Sequence, residues 1–129
     1  MGGRVSIDEI ISNSSYQVKE IKVVITQLPN KDYSHLLYLS DKLREKLSSC
    51  IVFLSSPRKE GFIFVLAISK ELEVRGFSCK DFISKYKEIL NLKGGGRVSV
   101  CQGVFKDSNF SSFKDRLILV LEEFLSCVF

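Results

Sequence analysis

Residues 50–68 read CIVFLSSPRKEGFIFVLAI, and this stretch decides the fold class. Two apolar, β-prone runs, Cys50 to Leu54 and Phe62 to Ile68, flank a segment of turn-forming and charged residues, Ser55 to Gly61. That pattern is typical of two antiparallel strands joined as a hairpin. Because neighbouring parallel strands need a long crossover connection, the hairpin excludes a purely parallel sheet.

One strand and one long helix precede this hairpin. Apolar residues alternate along Ile21 to Leu28, which indicates a strand, and Pro29 ends it. Asp32 is placed to cap a helix over Tyr33 to Leu47. Leucines recur in that helix at steps of three and four residues and predict one buried stripe, at positions Leu36, Leu39, Leu43 and Leu47.

A helix, a glycine run, a strand and a final helix follow the hairpin. Ser78 and Asp81 have the spacing of a capping box. The glycine-rich residues 92–97 (LKGGGR) interrupt the helix that starts there, Val98 to Val104 predicts the last strand, and Phe110 to Val128 predicts a closing helix. The residues that the first of these helices should bury are Phe82, Ile83, Tyr86 and Leu90.

These segments predict an α/β fold of the mixed (α+β) kind. Adding a short helix that begins at Ser6, which has capping-box spacing with Glu9, the order is helix, strand, helix, two strands, helix, glycine loop, strand, helix. Short strands with helices between them imply a single mixed β-sheet of about four strands with helices packed on it. The order of the strands in that sheet is not readable from the pattern.

Composition places the chain among globular proteins and excludes other classes. Its 129 residues are 45% hydrophobic and 26% charged, which suits one domain with its own core. The longest apolar run, Phe62 to Ile68, is far too short to cross a bilayer, so no membrane association is expected. The residues after Met1 are not an apolar secretory signal, and we expect a cytoplasmic protein.

Side chains for catalysis or metal binding are sparse. The four cysteines are widely spaced and form no C-x-x-C pair, so we expect reduced thiols and no metal site at Cys50, Cys79, Cys101 and Cys127. The single histidine, His35, is expected on the surface of a helix. No phosphate-binding loop or dinucleotide fingerprint is present. The sequence therefore argues against a self-contained enzyme, and we assign no catalytic residue and no cofactor.

Basic residues cluster in one part of the chain. The segment Ser78 to Lys106 contains six basic and two acidic residues, an excess equal to the net charge of the whole chain, +4. A localised basic region suits a polyanion, although an ordinary solvated face has the same composition. Lys80 and Lys87 share one side of the predicted helix, and that side leads towards the glycine run.

The glycine run is the main candidate for a binding site. Three consecutive glycines, Gly94 to Gly96, expose backbone N–H groups and permit close approach of another backbone. Lys93 and Arg97 flank them, so that backbone dipoles and cations could act on one phosphate. Arg97 could also form two hydrogen bonds with the edge of a guanine, and Gln102 offers a hydrogen-bond donor and an acceptor to a base or ribose. A flexible turn with a solvated arginine is the simpler explanation, and the residues alone leave both open.

Gly94-Gly95-Gly96-Arg97, followed by Cys101-Gln102-Gly103 and a helix, resembles the signature of the DHH-associated domain, in the version at the end of alanyl-tRNA synthetases. Residues 39–47 (LSDKLREKL) resemble the long helix of that family. Lys22–Val24 resembles its first strand, and Ile68–Leu72 the end of a later strand. These similarities occur in the family's order.

Three departures from the family pattern concern the glycine run and the strand after it. The run is one residue shorter than in the family, with Lys93 at its start. Val98 stands where the family often has proline, and Val104-Phe105 stands where it often has two glycines. These differences put the conformation of the loop in question. The resemblance extends from Ile21 to the C-terminus.

The resemblance implies a function. The parent would be an alanine–tRNA ligase, with ATP, magnesium and zinc needed only by upstream domains, and this fragment would be non-catalytic. The domain would bind the elbow of alanine-specific tRNA and support aminoacylation and editing. Residues 1–20 would be the tail of a preceding helical segment, and 21–129 the globular domain. The implied RNA contacts, with the two lysines of the helical stripe added, are Lys80, Lys87, Lys93, Gly94, Gly95, Gly96, Arg97 and Gln102.

Two other hypotheses stay open. The first is the nucleic-acid-binding domain of a DHH-type phosphoesterase, a branch that usually carries histidine where Arg97 stands. The second is a dimerisation module, in which the apolar end of the last helix, Leu125 to Phe129, docks on a second copy. Such self-association is compatible with RNA binding. Phe105 and Phe110 are candidates to stack on a base, but core packing is their expected role.

Overall fold

The computed structural model describes residues 6–128 of the chain. The sheet in this part of the chain has six strands in the order β1-β2-β3-β4-β6-β5. Every neighbouring pair is antiparallel except β2 and β3, which run parallel. The elements along the chain are α1 (Ile7–Ser14), β1 (Ser15–Val18), β2 (Ile21–Gln27), α2 (Tyr33–Lys46), β3 (Cys50–Arg58), β4 (Gly61–Ile68), α3 (Lys70–Val74), α4 (Cys79–Tyr86), β5 (Leu92–Gly96), β6 (Val100–Phe105) and α5 (Phe110–Val128).

The predicted hairpin is confirmed as β3 and β4, which pair from Ile51 opposite Ile68 to Arg58 opposite Gly61. Both strands are longer than the apolar runs that predicted them, because the polar residues of the connection continue the pairing up to the turn. Helix α2 joins β2 to β3 and returns the chain to the end of the sheet at which β2 began. The two strands therefore run parallel. The mixed sheet is therefore confirmed.

The expected number of about four strands is too low. Ser15–Val18 pairs with β2 as one edge of the sheet, and Leu92–Gly96 pairs with β6 as the other. Leu92–Gly96 contains no β-branched or aromatic residue, and Ser15–Val18 is only four residues long, so local propensity gave little signal for either strand. Pairing with a neighbour that is already in place overrides that propensity. The division of the chain at residue 20 stays a prediction, although β1 extends the sheet to residue 15.

Helices cover both faces of the sheet. One core cluster joins α1 and α2 to the sheet through residues such as Ile10, Leu36 and Val52. A larger cluster on the other face joins α4 and α5 to it through residues such as Phe82, Leu117 and Phe53. Strand residues alternate between the two clusters along each central strand, as the pleat requires.

Capping side chains start three helices where the sequence predicted them. Asp32 Oδ1 accepts the His35 N–H at 2.9 Å at the start of α2. Ser6 Oγ accepts the Glu9 N–H at 3.3 Å before α1, and Ser78 Oγ accepts the Asp81 N–H at 3.2 Å before α4. Each bond satisfies a donor that the first helical turn leaves without a partner.

The apolar side of the closing helix α5 packs against the core of the same chain. Leu125 is buried, and Val128 packs against the same core as Phe124. Phe129 lies outside the described residues. Self-association through this end of the helix stays a prediction. No helix between residues 6 and 128 is both long and apolar enough to span a membrane.

Phe105 is a core residue, as expected. It is 1% exposed, and its ring stacks on Phe113 with 3.8 Å between the centroids and on Phe62 with 4.8 Å. Phe110 is partly buried against the same cluster.

We predict that Phe105→Ala lowers the free energy of unfolding by about 3–5 kcal/mol, because it leaves a cavity among three packed rings. Urea denaturation followed by circular dichroism measures this change. Tyr38→Ala is the control, because that ring is 57% exposed, and it should change the free energy by less than about 0.5 kcal/mol. Equal losses for the two variants would contradict the packing described here.

Candidate nucleic-acid interface

The glycine run forms a strand and not the loop that the sequence suggested. Gly94, Gly95 and Gly96 pair with Gly103, Gln102 and Cys101 respectively, so all three belong to edge strand β5. The turn of this hairpin follows at Arg97, whose N–H donates to Val100 O at 2.8 Å. A phosphate cradle made by a glycine loop is therefore the wrong description of this segment.

Glycine is needed at Gly94 and Gly103 because the two backbones approach each other closely. A Cβ atom built on Gly103 would lie 2.6 Å from Gly94 Cα and would also meet Lys93 O. A Cβ on Gly94 would lie 2.8 Å from Gly103 Cα and would also meet Gln102 O. Gly95 is different, because a Cβ there would meet no atom within 4 Å. Two glycines of the signature thus have a packing role.

The outer edge of β5 presents backbone groups to the surroundings. Asn91 O accepts the Lys106 N–H at 3.4 Å, and the Arg97 N–H bonds to β6 as well. In an antiparallel pair only every second residue bonds to a given neighbour. Since Asn91 and Arg97 bond on the side of β6, the N–H and C=O groups of Gly94 and Gly96, which lie at the intervening positions, point away from it. The exposed peptide groups that the sequence analysis expected are present, but on a strand edge.

The basic residues of the predicted site lie at both ends of this edge. The Cys79 N–H donates to Val98 O at 2.8 Å, which holds the start of α4, and with it Lys80, against the turn that carries Arg97. Lys87 lies at the far end of α4, where its carbonyl accepts the Leu92 N–H at 2.8 Å. Of the eight residues predicted to bind RNA, all except Gly95 are exposed.

The predicted residues are divided between the two faces of the sheet. Leu92 and Cys101 belong to the core cluster under α4 and α5, whereas Val100 packs against the cluster under α2. Because side chains alternate along a strand, Lys93 and Gln102 point to the α2 side, opposite the helix that carries Lys80 and Lys87. The structure therefore brings the eight predicted residues to one edge but not to one surface.

Sequence reasoning missed residues on the α2 side of this edge. The Tyr33 hydroxyl at the start of α2 donates to Gly103 O at 2.8 Å. Burial raises the pKa of that hydroxyl, and the nearby Arg58 guanidinium partly opposes the shift. Arg58 also lines a cleft of about 220 Å³. Its lining includes Arg58, Glu60, Ile63, Val104 and Lys106. Only the pairing of β4 with β6 brings these residues together, so no local motif could reveal them.

Three of the four thiols lie in the core. Cys50, Cys79 and Cys101 are buried and Cys127 is exposed. Burial raises the pKa of Cys50 to about 11, and it also raises the pKa of Cys79. The pKa of Cys101 is raised by burial too, but the nearby Lys80 ammonium partly opposes that shift. No group of three or more histidine, cysteine or acidic side chains within residues 6–128 is arranged to hold a metal ion.

The chain belongs to the DHHA1 domain family, whose sequence profile matches residues 20–126. Its resemblance to the C-terminal domain of bacterial alanyl-tRNA synthetases is confirmed by relatives and by structure. It is 31% identical over 94 residues to the alanine–tRNA ligase of Caldicellulosiruptor saccharolyticus, across 73% of this chain and 11% of that protein. It is 33% identical over 102 residues to the enzyme of Leptospira interrogans, across 79% and 10%. The chain thus spans about a tenth of the length of these relatives.

Solved structures with the same fold include the C-Ala domain of Aquifex aeolicus alanyl-tRNA synthetase. That comparison gives a TM-score of 0.73 at 24% identity, across 84% of this chain and 98% of that one. A pGpG-specific phosphodiesterase from Vibrio cholerae is more distant, with a TM-score of 0.52 at 14% identity across 88% of this chain and 36% of the other. The α/β class predicted from sequence is confirmed.

We predict that Gly94→Ala and Gly103→Ala each lower the free energy of unfolding by about 1–3 kcal/mol, because the added methyl group forces the two strands apart. Gly95→Ala is the matched control and should change it by less than about 1 kcal/mol, since the position has space for a methyl group. Thermal denaturation of the three variants compares them. A Gly95 variant as unstable as the other two would contradict the register of β5.

We predict that a thiol-reactive disulfide reagent at about pH 8 labels one cysteine of the folded chain rapidly and all four after denaturation. The buried thiols stay protonated and inaccessible, so the rapid label should map to Cys127. Cys127→Ser is the control and should remove the rapid phase. Rapid labelling of Cys50 in the folded state would contradict its burial.

Proposed function

We propose that this chain is the tRNA-binding C-terminal module of an alanine–tRNA ligase. The observation that carries the proposal is its similarity to such ligases over about three quarters of its length. In this proposal the module contacts the elbow of alanine-specific tRNA and helps one tRNA to serve both aminoacylation and editing.

The charge of the β5 edge supports an RNA partner. Lys80, Lys87, Lys93 and Arg97 are exposed, and none of them takes part in an ion pair within the described residues. Cations that no carboxylate neutralises attract a polyanion, and binding then releases the counterions condensed on the RNA. Contacts of this kind position the RNA without reading its sequence, which suits recognition of an elbow by its shape.

In this role the chain would bind tRNA and catalyse no reaction itself. ATP, magnesium and zinc would be bound by upstream domains of the parent, and alanine would be activated there, in the cytoplasm. The single histidine is exposed on α2, and its backbone N–H is used by the cap at Asp32. Nothing in the module needs a cofactor for the role proposed.

A second candidate is the nucleic-acid-binding domain of a DHH-type phosphoesterase. The chain shares a fold with the Vibrio phosphodiesterase at 14% identity, and this likeness of fold is what brings the candidate into view. The upstream part of the gene decides between the two candidates. An aspartate- and histidine-rich metal domain there would favour the phosphoesterase, and aminoacylation and editing domains would favour the ligase.

We predict that the chain binds a tRNA transcript and that the affinity falls steeply as salt rises from about 50 to 200 mM. Arg97→Ala should weaken binding by about three- to tenfold and lower the salt slope by about one, as expected for one lost phosphate contact. Fluorescence anisotropy with labelled tRNA measures both quantities.

The matched control is Lys19→Ala, which removes the same charge from an exposed residue at the opposite edge of the sheet. It should bind tRNA as the wild type does. If Arg97→Ala and Lys19→Ala bind equally well, the β5 edge is not the site, and if the wild type does not bind at low salt, the proposed function is wrong.

A further inference from the structure

One face of the sheet is left without a helix at the β5 edge. Helix α2 lies over β3 and β4 on this side. Beyond it Val104 is 41% exposed, and Lys93, Gln102 and Lys106 are exposed as well. We call these four residues, together with Arg58, the open face. It lies on the opposite side of the sheet from α4, so it is distinct from the stripe of Lys80 and Lys87.

Arg58 is held in place without being neutralised. Its guanidinium donates to Pro57 O at 2.8 Å, to Ser56 Oγ at 3.4 Å and to Lys31 O. All three acceptors are uncharged. These bonds use only part of the five N–H donors of a guanidinium, and they reduce the side-chain entropy that binding an anion would otherwise cost. Arg58 is therefore a pre-oriented cation at the rim of the cleft.

The other cations of the open face are also without a carboxylate partner. Within residues 6–128 the ion pairs involve Lys42, Arg44, Lys46 and Arg116. Glu60 lines the cleft together with Lys106 and Arg58 but forms an ion pair with neither. Arg58 and Lys106 thus line the cleft with Glu60 as the one acidic residue of its lining, and Lys93 adds a third positive charge opposite Val104.

The centre of the open face suits a flat apolar group with a polar edge. Val104 lies directly opposite Lys93, and Gln102 lies opposite Gly95. Because Gly95 has no side chain, the amide of Gln102 has open space beside it, where a Cβ would meet no atom. An unpaired nucleobase matches this arrangement, since its ring can pack on Val104 while its edge bonds to the amide. A base in a duplex hides both features.

We propose that the open face binds a non-helical segment of the tRNA, with phosphates on Arg58, Lys93 and Lys106 and an unpaired base between Val104 and Gln102. This inference rests on the proposed function and names the surface that performs it. It assigns RNA contacts to Arg58, Val104 and Lys106, outside the glycine signature, and it adds sequence-tolerant base contacts to the phosphate contacts of the β5 edge.

The test measures binding of a labelled tRNA transcript and of a fully paired RNA duplex of similar length, by anisotropy at a fixed low salt. The variants are Arg58→Gln, Lys106→Ala and Gln102→Ala, with Lys19→Ala as the control for total charge. Thermal denaturation checks that each variant folds. Because Arg58 also ties down the backbone at Lys31, the Lys106 and Gln102 variants keep the test informative if the Arg58 variant unfolds.

We expect Lys106→Ala and Arg58→Gln to weaken tRNA binding by about three- to tenfold. We expect Gln102→Ala to reduce the preference for tRNA over the duplex, and Lys19→Ala to change neither property. If the three variants bind tRNA as the wild type does while Arg97→Ala binds more weakly, the inference is overturned and the proposed function stands. If the wild type does not bind tRNA, both fail.

A competition experiment with poly-glutamate tests the class of partner. The inference expects poly-glutamate to displace tRNA only at a large excess, since it has charge but no base. If it competes as well as unlabelled tRNA does, and the open-face variants weaken both equally, the surface is a general site for acidic chains and the assignment to an unpaired RNA segment is wrong.

Discussion

The fold depends on the pairing of β3 with β4. From Cys50 to Ser56 in β3 and from Ile63 to Ile68 in β4 every residue is buried, because helices cover both faces of this pair. The two core clusters meet here and share no residue, so each strand contributes alternately to both. Burial of apolar area on two faces of one hairpin supplies a large part of the stabilisation available to a chain of this size. The edge strands, and with them the proposed interface, are added to this pair.

Sequence reasoning succeeded where a local pattern and the tertiary environment agree. The leucine stripe of α2, the capping residues Asp32 and Ser78 and the apolar runs of the hairpin all specify the structure that they adopt. It failed for β5, because three glycines have the weakest strand propensity and nothing in the sequence shows that β6 will lie beside them. The family resemblance directed attention to residues 94–103 but gave no information on their conformation.

The candidate site was predictable only in part, for a related physical reason. Lys93, Arg97 and Gln102 are close in sequence, so a motif could collect them. Arg58 and Lys106 are 48 positions apart in the numbering and face the same cleft only because β4 lies between β3 and β6. Sheet order is set by long-range pairing, which neither periodicity nor spacing encodes. Electrostatic surfaces assembled across a sheet are therefore harder to predict than those on one helix.

The weak anchoring of β5 has a consequence for dynamics. Of its five residues only Leu92 is buried, and three of the others are glycines without a side chain to pack. The free energy that holds this strand to β6 comes mainly from backbone hydrogen bonds at the rim of the sheet, so we expect it to open in local fluctuations that leave the β3–β4 pair intact. A partner bound along this rim would suppress those openings, and the conformational entropy lost in doing so reduces its affinity. The same looseness lets the rim follow a curved surface that a rigid strand would contact at fewer points.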